Sequence, residues 1–116
     1  MTTTTAINLN QLNISQHAKT DRVDRLSNCI ATVGIGKVVF ICKSDRATDP
    51  TDYVVNCVTS TGLVLVISLT KNLLITGYLG TIPRVMGLYK SRGIQKMPEY
   101  LFQTIRKNER RYSFLY

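Results

Sequence analysis

Tryptophan is absent from this chain, and histidine occurs once, at His17. With a single His, and with Cys29, Cys42 and Cys57 odd in number and widely spaced, no C-x-x-C or similar ligand spacing exists and a structural zinc site is not expected. The cysteines read as reduced thiols packed as small apolar side chains, which points to a cytoplasmic setting. No long apolar run is present either. Residues 62–79 come nearest, but Lys71 and Asn72 divide them into two β-branched halves of strand length. A spanning helix needs about 20 uninterrupted apolar residues, so no membrane partner is expected. The opening Met1-Thr2-Thr3-Thr4-Thr5-Ala6 lacks a basic stretch followed by an apolar run, so it does not read as a secretory signal. Residues 1–13 are expected to form a flexible polar tail.

Common catalytic signatures are missing as well. No Gly-rich phosphate loop, H-E-x-x-H or G-x-S-x-G occurs. Gly34-Ile35-Gly36-Lys37 is too short for a P-loop and precedes a strand pattern, not a helix. Asp21 and Asp24 lie on one helical stretch, and Asp45, Asp49 and Asp52 lie in or beside one loop. Nothing in that spacing supports a paired-carboxylate mechanism or a hard-cation site, so no metal and no cofactor is expected.

What the chain does have is one domain's worth of core and a lopsided charge. At 116 residues and 44% hydrophobic content it can bury a single core, placed here at residues 14–116. The net charge is +8, and its distribution matters more than its sum. Residues 1–49 carry six Lys/Arg and four Asp/Glu, a net of +2; residues 50–83 carry one of each. Residues 84–116 carry eight (Arg84, Lys90, Arg92, Lys96, Arg106, Lys107, Arg110, Arg111) against Glu99 and Glu109, a net of +6. Basic charge gathered in the last third is the footprint of a polyanion partner, RNA foremost. A merely solvated basic helix is the competing reading.

The patterning predicts an α+β fold: an N-terminal helix, a four-stranded antiparallel meander and two C-terminal helices. Ser15 can cap a helix over residues 15–33, with Ala18, Arg22, Leu26, Cys29, Ile30 and Val33 at helical spacing. Gly34 and Gly36 suit its end. Four β-branched runs follow at residues 37–43, 52–59, 63–69 and 73–79, the last three joined by short turns that imply antiparallel pairing. Residues 63–69 are almost wholly apolar, as in a central strand buried on both faces. Pro83 and Pro98 suit the first turns of two further helices. In such a fold helices can cover one sheet face and leave the other open. The aromatic tail, residues 112–116, is expected to dock on the sheet or on a partner, a homo-oligomeric contact included.

A phosphate-directed set remains: His17, Arg22, Arg25, Thr76, Tyr78 and the C-terminal cations. RNA can be cut without metal when a base takes the 2′-hydroxyl proton, cations neutralise the developing phosphorane charge and an acid protonates the leaving oxygen. His suits both proton steps near neutrality. His17-Ala18, with Arg25 eight residues after the His, resembles the H-A-x-x-R-x-x-x-R opening helix of the RelE/barnase–EndoU–colicin group of small metal-independent ribonucleases, many of them bacterial toxins or phage-borne proteins. Leu74-Ile75-Thr76-Gly77-Tyr78 is similar to that group's V-I-T-x-Y strand. The resemblance covers residues 14–79, and it implies an endoribonuclease-like cleft lined by His17, Arg25, Thr76 and Tyr78. The chain departs from the pattern at the middle basic position, where Asp21 stands and Arg22 is one residue late.

Each of these residues has a plainer reading. His17 can be an ordinary surface His, Arg22 one half of a structural ion pair, and Thr76 and Tyr78 strand packing. Arg84, Lys90, Arg92, Arg106, Lys107, Arg110 and Arg111 would give nucleic-acid affinity without sequence specificity. The competing function is a non-catalytic phage-type inhibitor or adaptor that binds a host protein, or a nucleoprotein complex, through its basic surface.

Overall fold

The computed structural model describes the backbone of residues 13–14, 23–45 and 50–116, with side chains from residue 25 onward. The expected α+β order is present, with one addition. The elements are β1 (Asn13–Ile14), α1 (Val23–Val33), β2 (Val38–Lys43), β3 (Val54–Thr59), β4 (Leu63–Ser68), β5 (Leu73–Leu79), α2 (Ile82–Lys90) and α3 (Glu99–Arg111). A 3₁₀ turn, Ser113–Leu115, follows α3. Strands β2 to β5 form the antiparallel meander, and β1 joins it in parallel through Asn13 opposite Leu73 and Ile14 opposite Leu74. The sheet order is therefore β1-β5-β4-β3-β2. Ser15, Ala18 and Arg22 of the expected first helix lie outside the described residues.

Both faces of the sheet are covered, as the doubly apolar β4 implies. One face carries Phe40, Cys42, Val58 and Val64, covered by Val85 and Tyr89 of α2 and Leu101 and Ile105 of α3. The other carries Cys57, Leu65 and Ile67, covered by Leu26 of α1. Cys29, Leu63, Leu79 and Leu115 extend that second layer, so the aromatic tail closes over the chain's own core. The physical reason lies in β4, where all six residues are buried. A run of Leu-Val-Leu-Val-Ile presents apolar side chains to both faces, and each buried one contributes roughly 1.5–3 kcal/mol only if something dry lies above it. Two layers are the consequence.

Local chemistry sets the joints. Gly34 takes φ +81° at the end of α1, and its amide donates to the Ile30 carbonyl at 2.8 Å. The β3–β4 turn is held from three sides. Gly62 takes φ +94°, the Thr61 hydroxyl donates to the Gly34 carbonyl at 2.7 Å, and the buried Asn108 amide of α3 donates to the Thr61 carbonyl at 2.9 Å. Thr81 caps α2, accepting from the Arg84 amide at 3.4 Å, with Pro83 in the first turn. The Glu109 carboxylate of α3 accepts from the neighbouring Ile82 amide at 3.1 Å.

All three cysteines are buried and unpaired. Burial pushes the Cys57 thiol up to about 12 from its ordinary 9.0, and it raises Cys29 as well, so neither is a thiolate nucleophile near neutrality. Among the described residues, no helix is long and apolar enough to cross a membrane.

Candidate functional site

β5 is the strand on which the two helical layers meet. Its register slips between Val66 and Ile67 of β4, where Thr76 faces Val66 but Leu74 faces Ile67, leaving Ile75 as a bulge. A bulge inserts a residue and re-aims those beside it. Here it sends Leu74 to the α1 layer while Tyr78 packs on the α2–α3 side. Thr76, two residues before Tyr78 on the same strand face, is buried at 4% exposure. Gly77, between them, faces α1 so closely that a Cβ would lie 2.8 Å from Leu65 and 3.0 Å from Leu26. The missing side chain lets α1 settle on β5, and Arg25, next to Leu26, is carried to the strand's outer edge.

A cavity of about 430 Å³ lies at that edge, lined by Arg25, Thr76, Tyr78, Leu79, Thr81, Arg84, Leu115 and Tyr116. Among the described residues it collects two guanidinium groups, two phenols and two threonine hydroxyls, and no carboxylate side chain. Arg25 arrives from the α1 layer and Arg84 from α2. The Arg84 guanidinium carbon stands 4.9 Å from the Tyr78 ring centroid, a cation–π contact that holds the charge at the cavity wall without neutralising it. Among the described residues neither arginine has a carboxylate within 4.0 Å, and the one such pair is Lys71–Asp52, at 3.6 Å. The Tyr116 hydroxyl donates to the Gly80 carbonyl at 3.0 Å. Burial, then the nearby Glu109 and Cys29, push that phenol up to about 12, so it stays protonated and is no acid or base near neutrality. The Glu109 carboxylate is turned to the Ile82 amide.

Of the four residues expected in a cleft, the structure brings Arg25, Thr76 and Tyr78 together; His17 lies outside the described residues, as does Arg22. The cations of the last third do not form one surface. Arg84 joins the cavity at β5. Arg92 sits at the β2 edge of the sheet, three strands from β5, where its Nη1 donates to the Ile41 carbonyl of β2 at 2.9 Å and its guanidinium lies 5.4 Å from the Phe40 ring centroid. Phe40 is itself stacked on Tyr89, ring centroids 3.9 Å apart. Arg92 thus closes an edge-strand carbonyl and is occupied within its own chain. Lys90 is exposed in the last turn of α2.

On α3 the buried side is Leu101, Ile105 and Asn108. Arg106 with Arg110, and Lys107 with Arg111, are i,i+4 neighbours on the exposed side. Arg106 lies 5.9 Å from the Phe102 ring centroid, and Lys107 borders a shallow cavity of about 210 Å³ with Thr61 and Asn108. Like charges at that spacing repel by a few tenths of a kcal/mol per pair, and a polyanion would relieve it.

Leu115 and Tyr116 were not foreseen as part of the site. The tail's aromatic character was visible, but its return to the β5 edge depends on the length and direction of α3. Thr81 was legible only as a residue ahead of a Pro-initiated helix. A larger cavity, about 500 Å³, is lined by Asp45 and Asp52 beside Lys43, a mixture that does not select for phosphate. Among the described residues no cluster of three or more His, Cys, Asp or Glu is placed to hold a metal. Comparison with protein-family models, with curated proteins and with solved structures gives no match to this chain.

Proposed function

We propose that this is an RNA-directed protein and that the cavity at the β5 edge receives a backbone phosphate. The observation that carries the reading is the arrival of Arg25 and Arg84 from opposite layers into one space whose described lining has hydroxyls and no carboxylate side chain. Guanidinium groups bind phosphate through paired N–H donors. A recess lined by Leu79 and Leu115 strengthens that attraction relative to open water. Thr76, Tyr78 and Thr81 add hydroxyls that can donate to the phosphate oxygens. The exposed cations of α3 supply a second, non-specific attraction for the same polyanion.

The same cations would stabilise the extra negative charge of a phosphorane if RNA is cleaved there. Proton transfer needs a group that titrates near neutrality, which Tyr116 does not. His17 is the chain's one histidine and is the residue to test for that role. Incubating the protein with total RNA in chelator, beside His17→Ala, separates an enzyme from a binder. Cleavage by wild type alone assigns His17 to the reaction. Intact RNA in both, with binding that weakens steeply in salt, leaves a phosphate-binding protein without catalysis.

A second reading draws on α3. Its four exposed cations have no carboxylate within 4.0 Å among the described residues, and they would also suit an acidic groove on a protein partner. Charge reversal at Arg106, Arg110 and Arg111 would abolish that association while leaving the β5-edge cavity intact.

A further inference from the structure

We infer that the nucleic acid received at the β5 edge is single-stranded, with one base stacked on Phe114; this rests on the phosphate reading above. At 75% exposure Phe114 is the most exposed large hydrophobic residue described, well ahead of Tyr53, Tyr100 and Ile94. Its exposure does not come from a loose segment. The Leu115 amide donates to the Tyr112 carbonyl at 2.9 Å and the Tyr116 amide to the Ser113 carbonyl at 3.2 Å. Leu115 is 7% exposed against Cys29, Leu63 and Leu79. The Tyr116 hydroxyl is tied to the Gly80 carbonyl. Phe114 is thus an outward ring on an anchored turn, and Tyr112 meets it edge-on at 6.4 Å and 85°.

The placement supplies the partner's chemistry. The two residues that follow Phe114 line the cavity that holds Arg25 and Arg84, and Arg110 and Arg111 precede its turn on α3. Phe114 does not line that recess but directly precedes two residues that do. An exposed ring near a cationic groove is the pairing that single strands require, because their bases offer free π-faces and their phosphates follow the groove. In a duplex those faces are already stacked on neighbouring bases, and recognition falls to groove shape and backbone.

The test uses a short mixed-sequence RNA as a single strand and as its duplex, titrated into wild type, Phe114→Ala and Phe114→Trp over a range of salt. Wild type is expected to prefer the single strand. Phe114→Ala should bind it about tenfold more weakly with the same salt slope, its duplex binding should be unchanged, and Phe114→Trp should restore affinity. Phe114 is exposed, so thermal melts of the three proteins should coincide. Equal single-strand affinity for wild type and Phe114→Ala, or a wild-type preference for duplex, overturns the inference and leaves the phosphate site standing. A salt-independent or absent interaction with both forms overturns the phosphate site itself. If Phe114→Ala instead abolishes a concentration-dependent dimer without changing RNA affinity, the ring serves a second copy of the chain and the inference is wrong.

Discussion

The guanidinium carbon of Arg84 stands 4.9 Å from the centre of the Tyr78 ring, so a residue of α2 and one of the preceding strand share one wall of the β5-edge cavity. Replacing Arg84 with Ala removes a phosphate partner and a charge-assisted hydrogen bond. RNA binding should weaken by about 1.5–3 kcal/mol, and the slope of log affinity against log salt should become shallower by about 1. Fluorescence anisotropy across a salt series measures both. Arg25→Ala should behave alike, and an unchanged slope in both variants would remove the cavity from the account.

Gly77 governs the position of α1. A methyl at this position would press on Leu65 and Leu26, both buried. Relieving that overpacking costs about 1–3 kcal/mol, more than the few tenths to 1 kcal/mol recovered from a less flexible unfolded chain. Gly77→Ala should therefore lower the urea midpoint. It should also weaken RNA binding, because Leu26 and Arg25 move together.

Arg92 is a control for charge alone. Its guanidinium covers the Ile41 carbonyl on the edge strand β2, three strands from β5. Arg92→Ala should leave the RNA affinity at the β5 edge nearly intact while opening an unpaired strand edge, a template for pairing with another chain. Sedimentation at increasing concentration should then reveal self-association that wild type lacks.

Asn108 ties α3 to the β3–β4 turn through the Thr61 carbonyl, in the space that Gly62 leaves clear. Asn108→Ala strands a carbonyl and opens a small void, at a cost of about 1–3 kcal/mol by denaturant unfolding. The loss should appear in stability with little change in the salt dependence of RNA binding.

Much of this fold could be read in the residues. Alternation and turn chemistry located all four antiparallel strands, and Pro83 and Pro98 marked the two C-terminal helices. Arg25, Thr76 and Tyr78 were also grouped in advance, and they line one cavity. What escaped were long-range effects. The bulge at Ile75 depends on β4 as its partner and leaves no mark in β5 alone. The doubly apolar β4 implied burial on both faces, yet the return of Leu115 to close the second layer depends on where α3 ends. The gathering of cations in the last third suggested one basic face, but a count along the chain does not show that Arg84 ends on β5 and Arg92 on β2, three strands away.

Alkaline pH should destabilise the fold through its buried phenols and thiol. Burial holds Tyr89 and Tyr116 at about 12 from an ordinary 10.0, and Cys57 at about 12 from 9.0. Each is raised in the folded state, so the unfolded chain releases its protons first. The stabilisation is complete below pH 9 and declines as pH rises from 9 towards 12. Denaturant midpoints measured from pH 8 to 11 should fall, beginning near 9; a flat profile would show that these groups are open to solvent.

The most direct measurement follows the Nε–Hε resonances of Arg25 and Arg84 while single-stranded RNA is added to labelled protein. Both signals should shift together and saturate with the same dissociation constant as the binding isotherm, with Arg92 unmoved. If the α3 arginines shift and saturate while Arg25 and Arg84 stay still, the phosphate does not enter the β5-edge cavity and the proposed site is contradicted.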